Sequence, residues 1–348
     1  MNKEELIQSL YTMNEDEKFY ESYYNAKKNN DTFQFLSTVT TSYILEKRYI
    51  IPEIIESIPP HYEDSFFFNL DSKECICIQK HNCYSPSILH QHTFFELIYI
   101  IEGTCKQFIN NVPIEMKTGD FCLIPPNVSH TISVFDNSVV VNVLIRKSTF
   151  EDIFFNFIRS DNILSDFFIN NIYSKHVNDY IIFHSGKDQV IRNTILSMFL
   201  EYVNKEKYFE EILNNQLMNL FALLLRHYES TSELPPITHK RDIQGFALIR
   251  FIQDNYMNVT LDQIALKFHY TPEYTSKLIK ETTGYTLTQI LQRVRMNRAQ
   301  ALLSDTNISV NNIATEVGYQ NIEHFIRTFK KEFQMTPTEF RKKKILPS

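Results

Sequence analysis

The chain has no tryptophan, no CxxC pair and no apolar run of the roughly 18 residues that a membrane-crossing helix requires. Its opening stretch, MNKEELIQSL, carries acids where a secretion signal has a basic and then an apolar segment. Neither export nor a membrane span is expected, and a cytoplasmic protein is the default. The five cysteines, Cys75, Cys77, Cys83, Cys105 and Cys122, are odd in number. That fits reduced, mostly buried thiols in a reducing compartment, and nothing supports a redox switch. What is abundant (Asn, Lys, Ile, Phe and Tyr) points to no function by itself.

At 348 residues and 43% hydrophobic content the chain exceeds one ordinary core, so two or three globular domains are expected. Charge is unevenly placed. Residues 237–348 hold 16 Lys and Arg against 10 Asp and Glu, while the rest holds 19 against 31. A basic C-terminal module beside an acidic body implies a polyanionic partner for that module alone.

The local pattern changes along the chain. Residues 1–60 look mainly helical and end at Pro59-Pro60. Over 64–146, β-rich runs alternate with turns: ECICIQ, FFELIYIIEG, CKQFINNVPIEM, KTGDFCLIPP, HTISVF and SVVVNVLI. Strands at this spacing predict an antiparallel sandwich or barrel, with Gly103, Asn110-Asn111 and Gly119-Asp120 at turns. Residues 150–229 return to helical periodicity. Phe209, Leu213, Leu217, Leu220 and Leu224 form a stripe that fits packing against the chain's own barrel, a dimer seam of paired helices, or both. The polar stretch 230–240, with Pro235-Pro236, reads as a linker.

The last hundred residues repeat one pattern. LDQIALKFHYTPEYTSKLIKETTG (261–284) and VNNIATEVGYQNIEHFIRTFKKEFQ (310–334) each contain an Ile-Ala pair, a short helix, a turn and a second helix rich in basic residues. This is the layout of a helix-turn-helix, whose second helix enters the major groove of DNA. An earlier helix, about 243–255, puts Phe246, Ile249 and Ile252 on one face. In the second helix of the first copy, Thr271 is the expected cap, Pro272 opens the helix, and Tyr274, Leu278 and Ile279 face the core. Glu273, Ser276, Lys277 and Lys280 then face outward. In the second copy Asn321 is the expected cap, and His324, Phe325, Thr328 and Phe329 take core positions. Ile322, Glu323, Ile326, Arg327 and Lys330 face outward. Between the copies, 286–305 reads as one helix carrying Ile290, Val294, Ala301 and Leu302 together with Arg293, Arg295 and Arg298. At 1.5 Å per residue it is about 27 Å long, on the scale of the ~34 Å between successive major grooves. Lys277, Lys280, Arg327 and Lys330 suit phosphates or bases. Arg295 and Arg298 fit either a phosphate contact or an internal tether to a carboxylate.

RVRMNRAQALLSDTNISVNNIATEVGY, QNIEHFIRTFKKEF and MTPTEFR resemble the DNA-binding domain of the AraC/XylS family of transcription regulators, and the likeness runs nearly gap-free over 245–341. It implies two helix-turn-helix subdomains joined by a helix, with recognition helices at 272–280 and 322–330. This chain departs from the family pattern at Gln334, where Gly is usual, and at Thr275 and Ile279, where Leu and Phe are usual.

Upstream, His90-Gln91-His92, Glu96, Gly103, Gly119, Pro125 and His130 follow the two motifs of the cupin fold over about 84–146. Asn127 and Val134 stand where the second motif usually has Gly and Asn. In an unbroken strand His90, His92 and Glu96 share one face. The resemblance implies that His90, His92, Glu96 and His130 either line an effector pocket or hold a divalent Fe, Mn, Ni or Zn ion.

The expected fold class is therefore multidomain α+β, an antiparallel cupin-like β-barrel with a helical dimerisation segment followed by an all-α double helix-turn-helix domain. The boundaries fall at 1–60 (helical extension without an assigned role), 61–148 (sensor barrel), 149–229 (helical linker and dimerisation region), 230–240 (linker) and 241–348 (DNA-binding domain). The expected function is sequence-specific transcription regulation, not enzymatic, answering to a small-molecule effector such as a sugar. The expected partners are double-stranded promoter DNA, that effector, a second copy in a homodimer, and RNA polymerase if the outcome is activation. The competing readings are a metal-dependent cupin enzyme fused to a DNA-binding domain, and a regulator controlled by protein partners.

Overall fold

The computed structural model describes residues 1–54, 61–68, 74–147, 149–150, 163–164, 167, 180–234, 240–283, 285–305 and 308–345. They form two compact units, Met1–Phe154 with Asn178–Pro235 and Phe155–Val177 with Pro236–Ser348.

The first unit opens with helices α1 (Lys3–Tyr11), α2 (Glu15–Lys28), α3 (Thr32–Ser37) and α4 (Thr41–Glu46). Asn2 and Asn14 begin α1 and α2 with capping boxes completed by Glu5 and Glu17. Tyr20, Tyr23, Ile44, Tyr49 and Ile51 make a small core of their own, with Phe19 stacked on Tyr49. This extension is pinned to the sheet behind it by one buried ion pair. The Glu17 carboxylate has no exposed surface, meets Lys80 Nζ at 2.7 Å and accepts from the Cys83 backbone N–H at 3.2 Å.

Next come β1 (His61–Tyr62), α5 (Asp64–Phe67), β2 (Ile76–Lys80), β3 (Gln91–His92), β4 (Phe95–Glu102), β5 (Thr104–Ile109), β6 (Val112–Lys117), β7 (Asp120–Ile124), β8 (His130–Ser133), β9 (Val139–Ile145) and β10 (Ile181–His184). A five-stranded antiparallel sheet runs β10-β7-β4-β9-β2, and a three-stranded one runs β6-β5-β8. β1 and β3 form a short parallel pair. Asn110 and Asn111, both at positive φ, make the two-residue turn that joins Ile109 to its partner Val112. Gly119, at φ +87°, lies where a Cβ would strike the Gly186 carbonyl.

Two expectations need correction here. The described strands do not close into a barrel. The two larger sheets share no ladder and face each other across Ile98, Ile100, Cys105, Ile109, Met116 and Cys122, an open sandwich filled by side chains. Within the stretch read as wholly helical, residues 181–184 form strand β10. Ile181, Ile182 and Phe183 bury against β7, which extended backbone allows and a lone helical turn would not. Much of 149–179 lies outside the described residues.

Helices α6 (Gln189–Asn204) and α7 (Phe209–Tyr228) cover the outer face of the large sheet at β2 and β10. The α7 stripe Leu213, Leu217, Leu220 and Leu224 is fully buried there, so this chain's own core takes the face offered as a dimer seam. The stretch read as a linker is also partly tied down, since Glu233 pairs with Ile182 of β10 by two backbone hydrogen bonds.

The second unit contains α8 (Lys240–Asp254), α9 (Leu261–Phe268), α10 (Pro272–Thr283), α11 (Leu287–Asp305), α12 (Val310–Glu316), α13 (Ile322–Phe333) and α14 (Pro337–Ile345). It has two cores and one helix common to both. Ile290 and Val294 of α11 pack with Leu248, Ile252, Ile264 and Leu278. Met296, Ala299, Leu302 and Leu303 pack with Ile313, Ala314, Phe325 and Phe329. The side chains of Phe246 and Ala301 lie outside the described residues.

Replacing Glu17 by Ala strips Lys80, itself nearly buried, of its carboxylate. We expect a loss of about 3–5 kcal/mol, measured by denaturant unfolding of the full chain. Burial works to raise the Glu17 carboxyl, but Lys80 and the Asn14 and Cys83 N–H groups outweigh it and hold it below the usual range. Its contribution is therefore complete above the ordinary glutamate value and falls away as pH drops through the lower folded one. A Glu17→Ala protein of unchanged stability at neutral pH would contradict this.

Candidate functional site

Strand alternation sets up the first site. On β4, Ile98 and Ile100 point into the sandwich, and Glu96 shares their face. Neither His90 nor His92 lies on β4. The chain bends at Thr93-Phe94, so the unbroken strand expected from the even spacing is interrupted. The residues nevertheless converge, because His90 bridges to His130 of β8 through reciprocal backbone hydrogen bonds.

Glu96 is buried and is the hub. Its Oε2 lies 3.0 Å from His130 Nε2 and 3.3 Å from His92 Nε2, the latter without hydrogen-bonding alignment. Its Oε1 accepts from Asn142 Nδ2 at 2.8 Å. All three imidazoles are oriented by their other nitrogen: His90 Nδ1 donates to the Ile88 carbonyl, His92 Nδ1 to that of Phe94 and His130 Nδ1 to that of Val128, at 2.7–3.0 Å. A carbonyl only accepts, so each Nδ1 carries a proton and each Nε2 is left for the interior. Burial lowers His90 to about 4, with His130 nearby adding to the effect, and burial likewise lowers His92. Burial opposes the charge on Glu96, yet the contact with His130 and the close approach of His92 hold its carboxyl well below the usual carboxylate range. Candidate ligand atoms of His90, Glu96 and His130 lie within 4.8 Å of one another, and their mixed imidazole and carboxylate chemistry fits a divalent transition metal. His92 reaches the same carboxylate but falls outside that group.

Beside this cluster lies a cavity of about 260 Å³ bordered by His90, Glu96 and Asn142. Its outer wall comes from the N-terminal extension through Tyr20, Arg48 and Ile50. Nothing in the sequence pattern of residues 1–60 points to such a wall, because it depends on contacts between distant segments.

The second site is the paired helix-turn-helix. Thr271 accepts from the Tyr274 N–H and opens α10, and Asn321 accepts from the His324 N–H and opens α13. Glu273, Ser276, Lys277 and Lys280 are exposed on α10, as are Glu323, Arg327 and Lys330 on α13. Ile322 and Ile326 are half-buried against the second core instead of facing fully outward. Two assignments of inward residues are reversed. Tyr274 is exposed and Thr275 takes its place in the core, because the inward face of α10 runs through 275, 278 and 279. His324 is also exposed, with its ring 5.5 Å from Tyr319, while Phe325, Thr328 and Phe329 fill the core.

Arg295 is an internal tether, to carbonyls and not to a carboxylate. It donates to the Tyr256 and Met257 carbonyls at 2.9–3.0 Å and lies over the Tyr319 ring. Gly318, at φ +89°, makes room, since a Cβ there would approach the Met257 carbonyl to 2.6 Å. The turn before α9 is thereby fixed to the turn before α13. Alongside Arg295 a cleft of about 870 Å³ is lined by Asn258, Thr260, Gln292, Gln320 and His324, with no carboxylate on its walls.

Residues 264–343 match the family model of a helix-turn-helix domain, and residues 80–154 match that of an AraC-like ligand binding domain. The chain is 25% identical over 255 residues to the HTH-type transcriptional activator RhaS of Klebsiella pneumoniae (strain 342), covering 72% of this chain and 86% of that protein. It is 29% identical over 149 residues to the uncharacterized HTH-type transcriptional regulator YtdP of Bacillus subtilis (strain 168), covering 38% of this chain and 19% of that one. Among solved structures, the C-terminal domain of the two-component response regulator yesN from Fusobacterium nucleatum is 31% identical and covers 28% of this chain and 98% of its own, with a TM-score of 0.27.

Two stability changes follow from the second site. Thr275 Oγ1 is buried without a partner, so Thr275→Val should stabilise the chain by about 1 kcal/mol. Gln334 holds φ +58° at the end of α13, so Gln334→Gly should add about 1 kcal/mol. Thermal unfolding of each variant checks both, and a lowered midpoint would count against the assigned cause.

Proposed function

We propose that this chain, a transcription regulator of the AraC type with a ligand-binding domain and a helix-turn-helix domain, reads two successive major grooves through α10 and α13 under the control of a small molecule held beside Glu96. The observation that carries the DNA reading is the pair of exposed cationic faces, Lys277 with Lys280 and Arg327 with Lys330, on helices that share one rigid support. Glu273, Ser276, Ile322, Glu323 and Ile326 complete the groove-facing surface. At 19 residues α11 is about 28 Å long, which suits readers one helical turn of DNA apart.

The division of labour follows the expected boundaries: 61–148 for sensing, 149–229 for dimerisation and 241–348 for DNA. Since the α7 stripe is internal, a homodimer must use other faces of α6 and α7, where Val190, Val203 and Ile212 are exposed. RNA polymerase is the further partner if the outcome is activation. No helix among the described residues is long and apolar enough to cross a membrane. The effector works only by binding one arrangement of the protein better than another.

In gel-shift titrations, Arg327→Ala should weaken specific binding by about 1–3 kcal/mol and relax sequence preference. Lys330→Ala should weaken all sequences alike and reduce the salt slope by about 1. Binding that ignores both added salt and these variants would defeat the DNA assignment.

A second reading concerns a metal. The His130 Nε2–Glu96 Oε2 junction, with Nδ1 already committed to the Val128 carbonyl, suits a divalent ion held by His90, Glu96 and His130. Such an ion would neutralise Glu96 and offer a Lewis-acidic contact to oxygen atoms of an effector. Protein purified without chelator should then contain stoichiometric metal that His130→Ala loses. Metal-free protein in both cases would end this reading.

A further inference from the structure

The cavity beside Glu96 has a polar floor and a cationic mouth, and the two make different demands. At the floor, Asn142 is 4% exposed and spends its Nδ2 on Glu96. Its Oδ1 is buried and has no partner. A buried amide oxygen left in this state costs free energy, so the position calls for a hydroxyl or amine donor. At the mouth stands Arg48, held at φ +55° at the end of α4 with its guanidinium 5.9 Å from the Phe66 ring. The neighbouring cation Lys80 is neutralised by Glu17. No carboxylate is paired with Arg48 among the described residues. An arginine fork beside an aromatic ring and lacking an acid is suited to a bidentate oxyanion.

The space between them is small and has aromatic walls. Tyr20, Tyr62, Phe66 and Phe67 border it, and its volume of about 260 Å³ lies below the ~300–1,000 Å³ of drug-sized sites. Aromatic faces suit the C–H side of a sugar-like ring, while long acyl chains and nucleotides need more room.

Building on the effector reading above, we propose that the ligand is an anionic, hydroxyl-bearing metabolite of monosaccharide size, its acid group on Arg48 and a hydroxyl on Asn142 Oδ1. Residues 1–54 then have a role that their sequence does not disclose. They supply the anion contact and close the wall of the cavity.

The test uses the full chain and three sets of probes in thermal-shift and calorimetric titrations: gluconate and galacturonate, glucose 6-phosphate, and neutral glucose and galactose. We expect an acid to raise the melting midpoint in a dose-dependent way while its neutral parent does not. The carboxylate and phosphate arms identify which acid group is preferred. Arg48 is exposed, so Arg48→Gln should fold normally, and it should weaken that acid about tenfold or more, with Arg48→Lys recovering part of the loss. Neutral sugars binding as well as the acids, indifference to Arg48→Gln, or no response to any acid would each overturn the proposal. The effector reading fails separately, when an acid binds through Arg48 yet leaves operator affinity unchanged.

Discussion

Strand β4 is buried on both faces, and that constraint organises the first unit. Phe95 stacks on Phe150 on one side, while Ile98 and Ile100 fill the sandwich on the other. With a side-chain period of two, a one-residue slip would exchange these sets, so the register is strongly specified. Glu96 inherits its position from that register. It is a carboxylate forced inward by its neighbours, and it is tolerable there only because His130, His92 and Asn142 surround it. Any effector beside it meets an electrostatic arrangement that already exists, which lowers the cost of ordering on binding.

The second unit obeys a different constraint, one helix shared by two cores. Mutual orientation of the two readers then depends on α11 staying straight and on Arg295 fixing the turns at its side. Within this frame the two readers differ. The first carries a buried hydroxyl at Thr275 where an apolar side chain would pack better. The second is well filled by Phe325 and Phe329 but ends on Gln334 in a left-handed conformation. Natural chains commonly keep such small costs where stability is already sufficient.

How much was legible in the sequence follows from how local each signal is. Strands β2 and β4 to β9 announced themselves as β-rich runs between turns, helped by Asn110-Asn111 and Gly119, and the two helix-turn-helix copies by caps and spacing; β3 did not. Features that depend on distant segments were not visible. Ile181–His184 read as part of a helical stretch because its strand character comes from pairing with β7. Tyr274 and His324 were placed inward because a four-residue repeat leaves a helix face uncertain by one position, and only packing against α11 decides it. The likeness to the cupin motifs pointed to His90, Glu96 and His130, which the fold brings together, but the wall of the cavity, with Tyr20 and Arg48, was not legible. The sequence alone does not decide between phosphate contact and tether for Arg295, because the carbonyls it binds lie 38 and 39 residues away.

The same distinction bears on how sensing reaches the chain that leads out of the first unit. Among the described residues, Glu233 is anchored close to that exit. Its backbone pairs with Ile182, and its carboxylate meets His184 Nε2 at 3.1 Å while His184 Nδ1 meets Asp120 at 2.8 Å. Burial lowers His184, but Asp120 and then Glu233 more than compensate and raise it. The exit is thus tied to β10 and β7; β7 is a direct neighbour of β4, and β4 carries Glu96. A ligand that shifts β4 relative to β7 changes the ladder on which this anchor rests, whereas one that merely fills the cavity changes nothing downstream. By linkage, the response of this anchor to any ligand in the cavity depends less on how tightly that ligand binds than on whether it binds two arrangements of β4 and β7 differently.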